Sequence, residues 1–120
     1  MDFNESQLIN IKKDISGMFK KSARKTVALQ LGIFKARIKE IESLPKSEKR
    51  GKSLDLLNEA QAMRHNALRQ GARSGSHPNW AAAAACESWA AALLHRQSGV
   101  IDDATLSRID ELINDLIKNH

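Results

Sequence analysis

The chain has 120 residues, 42% hydrophobic and 28% charged, with a net charge of +5, a pI near 9.6 and one cysteine. That length suits one domain, expected over residues 1–120, with a core large enough to stand without metal or disulfide support, and the composition excludes a disordered chain. Cys86 has no partner for an internal disulfide, no apolar run approaches the ~20 residues of a membrane span, and the opening Met1-Asp2-Phe3-Asn4-Glu5 lacks a secretory signal; a cytoplasmic protein away from the membrane is expected.

The charge is unevenly spread. Residues 1–60 hold 13 Lys or Arg against 8 Asp or Glu, whereas residues 61–120 hold 6 of each. A basic N-terminal half suits an anionic partner, either nucleic acid or an acidic protein surface.

Strong helix formers dominate, Tyr is absent, Val27 and Val100 are the only valines, and no stretch alternates with period two. The chain is therefore expected to be all-α. Leu8, Ile11, Ile15 and Phe19 form one helical stripe, with Lys12, Lys13, Lys20 and Lys21 toward its polar side.

Two structures fit Arg24 to Ser43. In one, the helix runs on unbroken, because Val27, Leu31, Phe34, Ile38 and Ile41 keep three- and four-residue spacing and no proline precedes Pro45. In the other, the chain turns at Gly32 into a helix-turn-helix: Ala28 permits a close crossing, Gly32 takes the turn, and Leu31, Ile33, Ile38 and Ile41 pack inward. Lys35, Arg37 and Lys39 then face a nucleic-acid groove, with Lys12, Lys13, Lys20, Lys21, Arg24 and Lys25 on phosphates. Phe34 argues against the turn, since it stands where the second helix wants a Ser, Thr, Asn or Asp cap.

Beyond Pro45, the polar stretch Lys46 to Lys52 reads as an exposed connector, with Ser47 or Ser53 capping the next helix. Leu56, Leu57, Ala60, Met63, Ala67 and Leu68 repeat at helical spacing before a stop at Gly71. Pro78 suits the first turn of a helix that carries Trp80, Ala81 to Ala85, Cys86, Trp89 and Leu93 toward Gly99. That helix is apolar on nearly every face, so neighbours must surround it. In the last helix Asp102 caps, Asp103 complements the dipole, Ile101 staples onto Leu106, and Ile109, Leu112, Ile113 and Leu116 form one apolar seam. The expected architecture is a compact bundle of four to five helices around the Ala/Trp-rich one.

Between Ala60 and Cys86 there is no acidic residue, while Arg64, His65, Arg69, Arg73 and His77 all fall there. Arg69 and Arg73, four apart beside a Gly/Ser loop, are candidates to hold an anion; the alternative is that they neutralise Glu87 and the C-terminal dipole of their own helix. Glu87, a carboxylate on an apolar helix, predicts an ion pair with Arg64, Arg69 or Arg73. His65, His77, Cys86 and His95 lack metal-ligand spacing, and no cofactor motif is present, so neither metal nor cofactor is expected. Trp80 and Trp89 lie nine apart, on opposite helix faces, and read as core anchors rather than base-stacking platforms.

No nucleophile elbow, phosphate-binding glycine loop or paired-carboxylate pattern is present, which favours a non-enzymatic protein. The leading expectation is a regulatory module whose basic half contacts nucleic acid, dimerising through the seam of the last helix. The alternative is a protein-interaction module, an inhibitor or adaptor of the kind a phage or mobile element encodes, whose long N-terminal helix docks on an acidic partner. A third is a metal-independent ribonuclease using His77 with Arg73 or Arg69.

Overall fold

The computed structural model describes residues 9–10, 21–69 and 77–118. Four helices lie among them: α1 (Lys21–Glu42), α2 (Lys46–Arg69), α3 (Pro78–Gln97) and α4 (Asp103–Lys118), with no strand among the described residues. The all-helical expectation holds. The stripe of Leu8, Ile11, Ile15 and Phe19 falls outside the described residues, although Ile9 and Asn10 are helical.

Helix α1 passes through Gly32 without a break, and Gly99 is the only described residue with positive φ. The helix-turn-helix at 24–43 is thus not formed. The inward stripe explains why: Val27, Leu31, Phe34, Ile38 and Ile41 all bury along one continuous rod, and a turn at Gly32 would split it. Ile33 overturns its assignment as a packing aliphatic, since it is 57% exposed.

A second correction concerns Lys46 to Lys52, which form the opening turns of α2 rather than a connector. The link from α1 is only Ser43, Leu44 and Pro45, and the Pro45 carbonyl accepts from the amides of Glu48 and Lys49 at 2.9 and 3.2 Å. Ser53 therefore lies within the helix instead of capping it. Its buried hydroxyl donates back to the Lys49 carbonyl at 2.7 Å and accepts from Gln97 Nε2 at 2.9 Å, tying α2 to α3.

Helix α3 packs against each of the other three. Residues 81–87 and 89–93 are buried, and six of the first seven are the small residues Ala81 to Ala85 and Cys86, which let neighbouring backbones come close. His77 is its N-cap, accepting from the Asn79 amide on Nδ1 at 3.2 Å, with Pro78 at the first turn. At the other end Gly99 adopts φ +77°, its amide donating to the Arg96 carbonyl and the Val100 amide to the His95 carbonyl, a Schellman closure.

Trp89 anchors the core. It is 3% exposed, stacks obliquely on Phe34 with ring centroids 6.2 Å apart, and donates its indole N–H to Asp110 Oδ1 at 2.7 Å. Trp80 is half-buried against the same core. Helix α4 opens as its sequence predicts, with Asp102 Oδ1 accepting from the Thr105 amide at 2.8 Å. Its aliphatic seam is consumed inside the bundle: Ile109, Ile113 and Leu116 are buried, and Leu112 packs on the core. That seam is not free for a dimer contact.

Candidate functional site

The three side chains expected to read a groove do not share a face. Two residues along a helix turn the side chain by ~200°, so Lys35 and Lys39 lie on one flank of α1 and Arg37 on the other. Arg37 is also engaged elsewhere: its guanidinium forms a two-pronged pair with Glu59 of α2, one prong at 3.0 Å. The pairing raises the Arg37 pKa and holds the Glu59 carboxyl below its usual range, both through the hydrogen bond first. Lys35 is half-buried and lies near enough to Asp110 to pull that carboxyl downward, while Lys39, exposed, does the same to Glu42.

The remaining predicted cations are scattered. Lys12, Lys13 and Lys20 lie outside the described residues; Lys21 begins α1. Arg24 turns toward the body, half-buried with Nε lacking a hydrogen-bond partner, and Lys25 faces solvent. Arg69 is exposed at the end of α2, and Arg73 lies outside the described residues, as does the loop that was to join them into an anion site. Glu87 pairs with Arg64, one of the three cations proposed for it, at 2.5 and 3.4 Å. No group of three or more potential metal ligands occurs among the described residues.

The structure exposes a face that periodicity alone did not single out. Leu29 is 67% exposed and Ile33 57%, one turn apart on α1. Lys25 stands one turn before them and Ala36 one turn after, both exposed, and beside them Gly32 leaves open space where a Cβ would be. The signal was present in the sequence: Leu29 and Ile33 each sit two positions from Leu31, hence on the opposite side from the inward stripe. Other exposed aliphatics, Leu54, Leu68 and Val100, stand singly.

At one end of the bundle a second feature appears. Glu42, Lys46, Lys49, Arg50, Leu93, Arg96, Gln97, Asp103 and Leu106 line a cleft of about 730 Å³ where all four helices meet. No helix among the described residues is long and apolar enough to cross a membrane. No family model, curated protein or solved structure matches the chain.

Proposed function

We propose that the chain is a non-enzymatic protein-interaction module, an inhibitor or adaptor, that docks through the outward face of α1 on an apolar partner groove with an acidic rim. One observation carries this reading: two large aliphatics, Leu29 and Ile33, stand exposed a turn apart on an unbroken helix, with Lys25 in line beside them. Helix-in-groove recognition uses such anchors at i and i+4, and a lysine at their edge meets acidic groups on the partner. A nucleic-acid groove has little use for adjacent aliphatics. In this reading the four- to five-helix bundle around α3 is a rigid support that holds α1 straight.

The test is affinity capture from the native host with wild-type protein and with Leu29→Asp/Ile33→Asp, followed by reconstitution with the purified captured protein. Both positions are exposed, so the variant should keep its helical circular dichroism. Reconstituted affinity should fall at least tenfold; unchanged affinity overturns the reading. Sedimentation of the protein alone distinguishes a second copy as the occupant.

The basic N-terminal surplus favours nucleic acid as a second reading, with Lys25 and Lys39 touching phosphates from the surface of α1. Duplex binding that weakens steeply with salt and falls on Lys25→Gln/Lys39→Gln supports it. Absence of binding at low salt removes it.

A further inference from the structure

The end cleft has a composition that its structural neighbours do not account for. Four cations (Lys46, Lys49, Arg50, Arg96) face two carboxylates (Glu42, Asp103) over a floor made by Leu93 and Leu106. Asp103 is taken up by Arg96, which pairs with it directly. Lys46, Lys49 and Arg50 form no ion pair with any described residue; Arg50 reaches only the Ser98 hydroxyl, at 3.5 Å. Three cations thus converge from the first turns of α2 on one rim, opposed by Glu42 alone.

The rest of the lining fixes what such a rim suits. Leu93 is 4% exposed and Leu106 half-buried, so the floor is apolar and firm, and Gln97 is held by its bond to the buried Ser53 hydroxyl. A volume of about 730 Å³ lies within the ~300–1,000 Å³ of small-molecule sites. A bare inorganic anion would leave the leucines unused, and a nucleic-acid backbone could not lay a duplex into a cleft walled by four helices. A neutral apolar molecule would leave the lysines and Arg50 without a counter-charge.

We propose that this cleft binds a small amphipathic anion, one phosphate, sulfonate or carboxylate head on an apolar body, with the head between Lys46, Lys49 and Arg50 and the body on Leu93 and Leu106. The site is separate from the outward face of α1, so its failure would leave the docking reading untouched. The residues were legible only as a polar run, Lys46 to Lys52; what makes them a site is the folding of α3 and α4 beneath them.

The probe is 1-naphthyl phosphate, compared by calorimetry with neutral 1-naphthol and with inorganic phosphate. The naphthyl phosphate should bind at least tenfold more tightly than either, a difference that requires head and body together. Lys49→Gln/Arg50→Gln should weaken it roughly tenfold or more, as expected for loss of two charge-assisted contacts, while Leu29→Asp/Ile33→Asp leaves it unchanged. Methyl resonances of Leu93 and Leu106 should shift on titration, which reports the location without any variant. Equal affinity for naphthol, shifts confined to Leu29 and Ile33, or no binding at millimolar probe overturns the proposal.

Discussion

Arg64 and Glu87 join α2 to α3 through an ion pair whose two halves differ in exposure, 33% for the arginine side chain against 9% for the carboxylate. The carboxylate is the committed partner, because it is nearly buried on an alanine-rich helix, whereas the guanidinium stays a third exposed to solvent.

Removing the cation should therefore cost more than neutralising the anion. Arg64→Met leaves an uncompensated buried carboxylate and is expected to cost about 3 kcal/mol; Glu87→Gln, which keeps an acceptor for Arg64, should cost about 1 kcal/mol. The double variant Arg64→Met/Glu87→Leu should recover most of the loss, since a well-packed apolar pair replaces a buried ionic one at little net cost. Urea denaturation of wild type and the three variants measures these differences. Equal losses for the two single variants would mean that the difference in burial does not govern the pair.

The glycines separate helix from turn by sign. Gly32 and Gly51 lie inside α1 and α2 with negative φ and open space at the Cβ position, so Gly32→Ala and Gly51→Ala should each stabilise by about 0.5–1 kcal/mol. Gly99 also has open space but φ +77°, and Gly99→Ala should destabilise by about 1 kcal/mol. Thermal denaturation reads all three. A destabilised Gly32→Ala would contradict the helical backbone and open Cβ space at that position.

How far the sequence foretells this molecule depends on whether a signal is local. The N-cap of α4 at Asp102, the opening of α3 at Pro78 and its closure at Gly99 each rest on two or three neighbouring residues and are formed as read. Gly32 was ambiguous because a glycine in an apolar helical pattern suits either a turn or a helix that tolerates it, and the burial of Phe34 and Ile38 beyond it decides between them. Lys46 to Lys52 misled because charge and a glycine mimic a loop, while Pro45 had already supplied the start of the helix. The end cleft and the Arg37–Glu59 pair join residues from separate helices, and no spacing in the chain encodes them.

Asp110 gives the fold a specific pH dependence. Burial raises its carboxyl above the usual aspartate range, outweighing the indole N–H of Trp89 and the charge of Lys35, which both pull it down. A raised folded value means that the protonated form is favoured by folding: the contribution is fully present below the unfolded pKa near ~3.9 and is lost as pH rises through the folded value. At neutral pH the charge is a net cost. Asp110→Asn keeps the oxygen that accepts from Trp89 and deletes the charge, so its melting temperature at pH 7 should exceed wild type by a few degrees, with the gap closing toward pH 4. It also removes the neighbouring charge that helps raise Glu42. A variant that melts lower at pH 7 would show that attraction to Lys35 outweighs burial.

Cys86 offers a reporter for these stability claims because its chemistry is shut off in the folded state. It is 0% exposed on α3, and burial pushes its thiol up to about 12. The reactive thiolate is then scarce at pH 8, and the sulfur is also out of reach of reagent. Ellman's reagent should therefore react with native protein at the rate set by global opening, and with guanidinium-unfolded protein at once. When opening and closing are fast, the native rate tracks unfolding free energy, so Gly32→Ala should slow labelling by up to about fivefold and Arg64→Met should speed it by about a hundredfold. Native labelling that ignores both substitutions would mean that Cys86 is reached through a local opening around α3, and that this helix is less tightly held than its burial implies.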